Sequence, residues 1–152
     1  MTNYISNINA NDKIYPIGGD NFDGEWIPSR YIILNGATLS GGSCAPYSLS
    51  SYLPDDGYDY EVIFEGVSQS TATSGKVAQL TLLSGSYTTG TTGWRLGKCT
   101  ARTSALVFCG GSAIIPIFAS DKNISVYAQD SDSNNASSYV WATGYRRIGK
   151  ND

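Results

Sequence analysis

Apolar and polar positions alternate most clearly over residues 58–65, where Tyr58, Tyr60, Val62 and Phe64 fall on one parity and Asp59, Glu61 and Glu65 on the other. A period of two predicts a strand buried on one face, with the aromatic and β-branched set turned inward. The turn ahead of it is Asp55-Asp56-Gly57. A second β-branched run at 30–35 ends in Asn35-Gly36, a dipeptide that supplies the positive φ of a tight turn, and Ser40-Gly-Gly-Ser43 reads as a flexible loop that also carries Cys44. Further strands are expected at 76–84, 93–98, 99–109, 112–118, 124–129 and 138–148, with Gly- or Ser-rich breaks roughly every ten residues. No window sustains a 3.6-residue apolar period, which argues against helices and against alternating strand–helix units. Eight or nine strands in an all-β, antiparallel two-sheet sandwich of jelly-roll-like form is the economical architecture.

Before this block, residues 4–17 read as two short strands around a polar turn at 9–12, an N-terminal hairpin or stalk over 1–20. Residues 21–29 mix Gly, Asp, Asn and Pro and read as a connector, which leaves 30–152 for the sandwich. A hairpin alone is marginal, so Ile5, Ile8, Ile14, Tyr15 and Ile17 need a partner surface, and they are the candidate attachment residues.

Composition narrows the function. The 152 residues include 11 Tyr, 17 Gly and three Trp, and Lys and Arg number 10 against 13 Asp and Glu, a net charge of −3. That balance offers nothing to draw the chain onto nucleic acid, and with no apolar stretch of spanning length no membrane insertion is expected. The start carries no signal-peptide pattern, so synthesis in the cytoplasm is expected. No His is present. The commonest general base and the usual partner of a Ser or Cys nucleophile are therefore missing, and no catalytic residues and no cofactor are assigned.

The remaining chemistry is carboxylate, thiol and aromatic. Asp55, Asp56, Asp59, Glu61 and Glu65 form the densest acidic cluster, and two carboxylates about 5–10 Å apart would suit a glycosidase. Alternation places the strand members outward, where solvated charge is the plainer account. Asp130, Asp132 and Asn134 alternate as in a calcium-wrapping loop, yet the full pattern of such a loop is absent and the same residues make ordinary turns. Asn123-Ile-Ser125 and Asn135-Ala-Ser137 fit the glycosylation acceptor pattern, and with no signal peptide expected they are read as coincidental matches. Cys99 and Cys109 would lie roughly 33 Å apart along one straight strand and pair only if a turn intervenes. Cys44 could reach either from its loop, and buried free thiols are the expected state of all three. Tyr87, Trp94, Tyr139 and Trp141 are the candidate ligand-binding residues, since aromatic faces stack on the apolar faces of sugars. Tyr139, Trp141 and Tyr145 share a parity and serve equally well as core or subunit contact.

Tyr4-Ile-Ser-Asn-Ile8 with Lys13-Ile-Tyr-Pro-Ile17 resembles the attachment hairpins that open bacteriophage fibre and head-decoration proteins, and Val140-Trp-Ala-Thr-Gly-Tyr-Arg-Arg-Ile-Gly149 is similar to the last strand of phage fibre tip domains. The resemblance covers about a sixth of the chain. It implies a virion surface protein, a homotrimer in contact with other virion proteins of the capsid or tail, whose β-sandwich adsorbs to host-surface glycan. A carbohydrate-binding module of a larger enzyme system and a small carboxylate-based glycosidase or lyase are the alternatives.

Overall fold

The computed structural model describes residues 25–39, 43–72, 77–89, 92–100, 105–130 and 136–150. Eight strands run through them: β1 (Ile27–Leu39), β2 (Ser43–Ser48), β3 (Tyr58–Ala72), β4 (Val77–Ser84), β5 (Trp94–Thr100), β6 (Ala105–Ile117), β7 (Asn123–Asp130) and β8 (Ala136–Lys150). The candidate attachment residues Ile5, Ile8, Ile14, Tyr15 and Ile17 lie outside the described residues, as do Asp132 and Asn134, while Asp130 ends β7.

Pairing is nested. β4 pairs with β5, β3 with β6, β2 with β7 and β1 with β8, all antiparallel. The chain thus behaves as one long double ribbon, folded over so that β3 also pairs with β8 and β4 with β7. Two four-stranded sheets result, ordered β1-β8-β3-β6 and β2-β7-β4-β5. That order is a jelly roll, the expected sandwich.

The core lies between the sheets. Tyr60, Val62 and Phe64 of β3 are buried as the alternation predicts, Tyr58 is half-buried against the core, and Ile115, Ile117, Val140 and Ala142 join them from the same sheet. Ala78, Leu80, Leu82, Ile124, Val126 and Ala128 face them from β4 and β7. One end is plugged by Leu49 and Leu53, held by a turn in which the N–H groups of Tyr52 and Leu53 both donate to Leu49 O.

Four local expectations are corrected. Asn35-Gly36 does not end a strand: Gly36 takes φ 74° inside β1, at a bulge that sets Asn35 and Ala37 against successive residues of β8. The positive φ is used to kink an edge rather than to reverse the chain. Cys44 lies not in a loop but in β2, an edge strand that tolerates Pro46 because its outer backbone groups pair with nothing in the sheet. Residues 99–109 are not one strand, since Cys99 belongs to β5 and Cys109 to β6, and Gly110-Gly111 continues β6 instead of breaking it. Tyr145 does not share a face with Tyr139 and Trp141. A bulge in β8 sets Ile63 against Gly144 but Phe64 against Ala142, so parity switches and Tyr145 packs on the core.

Glycines and serines extend β3 past the readable alternation. A Cβ on Gly66 would lie 3.0 Å from Leu80 Cδ2 and 3.1 Å from Leu96 Cδ1, so that core-facing position has room only for hydrogen. Ser68 and Ser138 are buried, and their hydroxyls satisfy each other at 3.1 Å.

Candidate functional site

The loops at one end of the sandwich, 49–57, 85–89 and 118–122, gather most of the polar chemistry of the described residues. Gly85, at φ 107°, turns the chain out of β4, and its missing Cβ leaves space for Tyr87, whose Cε2 would otherwise be 3.2 Å away. Ser86 donates from both its N–H and its Oγ to Asp121, at 2.9 and 3.0 Å. Asn123 Nδ2 donates to Ser86 Oγ at 2.6 Å, Tyr87 N donates to Ser125 Oγ at 2.8 Å, and Ser125 Oγ donates to Gly85 O at 2.7 Å. The loop is therefore held by side chains of the 118–122 turn and of β7, while the Tyr87 ring stays 47% exposed and Phe118 44% exposed.

On the other flank of the 118–122 turn is a cleft of 320 Å³ lined by Ser50, Asp55, Ala119, Ser120 and Lys122. Lys122 Nζ donates to Pro54 O at 2.9 Å and pairs with Asp55 at 3.0 Å, and Ala119 N donates to Asp59 Oδ1 at 2.8 Å. The cleft sits at the small end of ligand-pocket volumes, and its lining is hydroxyl, carboxylate and ammonium.

Beneath these loops runs a ladder of tyrosines. Tyr31 stacks on Tyr52 at 5.1 Å between centroids, and Tyr145 meets Tyr52 and Tyr60 edge-on at 5.2 and 5.6 Å. Tyr60 Oη donates to Asp56 Oδ2 at 2.6 Å, Arg147 Nη2 donates to the same oxygen at 2.9 Å, and the Arg147 guanidinium lies 4.2 Å from the Tyr58 ring centre. Burial alone would raise the Asp56 carboxyl, but the Tyr60 hydroxyl, the Tyr58 N–H and Arg147 outweigh it and hold it below its ordinary value. Burial, then Asp56, pushes Tyr60 up to about 12, and burial, then Tyr145, pushes Tyr52 up to about 12. This network ties the 49–57 loop to the ends of β3 and β8.

The four predicted aromatic residues fall in two places. Tyr87 is at the end just described, and Trp94, 39% exposed, opens β5 opposite Leu82 near the same end of its sheet. Tyr139 and Trp141 lie on the outer face of the other sheet. Trp141 is covered by the Arg30 guanidinium at 5.7 Å, and the Tyr139 ring rests against Gly36. The acidic cluster is largely engaged: Asp55 with Lys122, Asp56 with Tyr60 and Arg147, Asp59 with Ala119 N, and Glu61 with Arg146 Nε at 2.7 Å. Sequence reasoning missed Ser86, Asp121 and Phe118. Asp121 stands in a short polar connection between two predicted strands, but nothing in its spacing says that it closes on Ser86, 35 residues away.

No protein-family model matches the chain, and no curated protein matches it. Among solved structures, a chain described as "nora virus structure" is similar to it at 11% identity and a TM-score of 0.32, over 84% of this chain. The match spans 57% of that chain's length. A superposition this loose transmits no function from one chain to the other.

Proposed function

We propose that this chain is a non-enzymatic structural protein of a bacteriophage virion, a head or tail fibre or decoration component that presents its jelly roll to host-surface glycan. The observation that carries the reading is the nested strand pairing, because eight-stranded jelly rolls of two sheets recur in viral capsid and lectin domains. Fold narrows the class without naming the activity, so the ligand is argued from the site. There the exposed Tyr87 ring offers a stacking face, and Asp121 and the Ser50, Ser120 and Lys122 cleft offer groups to read hydroxyls. The absence of His and the engagement of Asp55, Asp56, Asp59 and Glu61 support a site that binds without turnover. Residues 1–20 supply the anchor and a homotrimer the assembly in this reading.

Two measurements test it together. Light scattering of the full chain should give three times the chain mass, and a glycan array should show retention that Tyr87→Ala weakens roughly tenfold, the worth of one ring contact. A monomer that still binds glycan through Tyr87 would instead indicate a carbohydrate-binding module. Hydrolysis of any glycan in the panel would overturn the non-enzymatic reading.

A further inference from the structure

The edges of the two sheets meet where β5 runs against β6. A Cβ on Gly97 would lie 2.5 Å from Gly110 N and 3.1 Å from Cys109 Cβ, and one on Gly111 would lie 2.5 Å from Leu96 O. Only glycine permits backbones this close. Two residues beyond Gly97, the Cys99 thiol donates to Phe108 O at 2.9 Å, the carbonyl of the peptide unit that enters Cys109. Cys109 is a buried member of the core cluster, and Cys99, half-buried, packs against that cluster. Burial, then the neighbouring Cys99 thiol, pushes the Cys109 thiol up to about 11. Cys44 is remote from both. It belongs to a separate cluster with Leu83 and Tyr127, on the opposite edge strand of the second sheet, three strand spacings or about 14 Å from β5, twice the reach of a disulfide.

We propose that Cys99 and Cys109 form a redox pair that closes into a disulfide, joining the edge strand of one sheet to the edge strand of the other. The oxidant is a small disulfide such as oxidised glutathione. Cys99, the more exposed thiol, attacks as thiolate on one glutathione sulfur, displaces the other as a thiolate, and leaves a mixed disulfide. Cys109 then gives up its proton to solvent and attacks Cys99 Sγ, releasing the second glutathione. The two protein thiols lose two electrons and two protons, and the oxidant becomes two thiols. Burial of Cys109 makes this second step the slow one, so closure accelerates as pH rises toward the Cys109 value. In a reducing cytoplasm the pair stays open. In an oxidising exterior it becomes a clamp across the edge where β5 of the second sheet meets β6 of the first.

The test uses the full chain, equilibrated in mixtures of reduced and oxidised glutathione, quenched with acid, alkylated and mapped by mass spectrometry. The expected result is loss of two hydrogens from the intact mass, a Cys99–Cys109 peptide link, and Cys44 fully alkylated. The Cys44→Ala chain should behave identically, and Cys99→Ser should form no intramolecular link. Oxidised chain should melt roughly 5–10 °C higher than reduced chain. A link involving Cys44, a stable mixed disulfide at Cys99 with Cys109 still reduced, or no oxidation at any glutathione ratio would overturn the proposal.

Discussion

Replacing Phe64 by Ala tests the fold at its centre. The ring is fully buried in the middle of β3, and its register partners are Ala113 on β6 and Ala142 on β8. Alanines on both flanks have no spare reach, so a cavity opened there stays largely open. Phe→Ala at such a site costs about 3–5 kcal/mol, the upper part of which applies where neighbours cannot collapse inward. For a chain of this length that is a drop in Tm of roughly 6–20 °C, and a large share of a total stability on the order of 5–15 kcal/mol. Urea denaturation followed by far-ultraviolet circular dichroism and by tryptophan fluorescence should show a lower midpoint with an unchanged slope. Ile114→Ala is the matched control, because that side chain is 52% exposed on the outer face of the same sheet and should cost less than about 1 kcal/mol. A cost below about 1 kcal/mol for Phe64→Ala, or an equal cost for Ile114→Ala, would mean that the strand faces the other way and the register is wrong by one residue.

Stability should fall as pH drops below 3.8, because the Asp56 carboxyl is held below that ordinary value only in the folded chain; its stabilisation is complete above it and lost through the folded value. Asp56→Asn should flatten this part of the profile in urea midpoints measured from pH about 5 to about 2, and an unchanged profile would refute the assignment. At the alkaline end the sign reverses: Tyr52 and Tyr60, pushed up to about 12, favour the folded state below pH 10 and lose that contribution between 10 and 12. Phenolate absorbance should show late-titrating tyrosines in native chain that vanish in denaturant. Gly110→Ala places a Cβ 2.5 Å from Gly66 O, a backbone atom that cannot yield, so the chain should lose cooperative unfolding or express insolubly; a soluble variant with wild-type Tm would refute this close packing of β6 on β3.

The strand character of 58–65, its buried face and the all-β class were legible because each rests on local alternation and composition, which act within a few residues. So was the missing His, which no folding can supply. Other features needed contacts between distant segments. Asn35-Gly36 has the same local preference whether it reverses a chain or kinks an edge, and pairing with β8 decided in favour of the bulge. β2 was invisible because Ser43–Ser48 carries little apolar alternation, and its order comes from pairing with β7 about 80 residues away. The inward turn of Tyr145 follows from one extra residue in β8, which reverses parity for everything beyond it. Tyr87 could be named from sequence as an exposed aromatic candidate, but Asp121 and Asn123 reach the neighbouring Ser86, and Ser125 the Tyr87 N–H, only because β4 and β7 pair side by side. Cys99 and Cys109, read as ends of one straight strand, meet because the chain crosses from one sheet to the other between them. Sequence sets what each segment prefers; the nested pairing of the jelly roll selects which distant side chains share a surface, since parity and turn chemistry are local while register is a property of two strands at once.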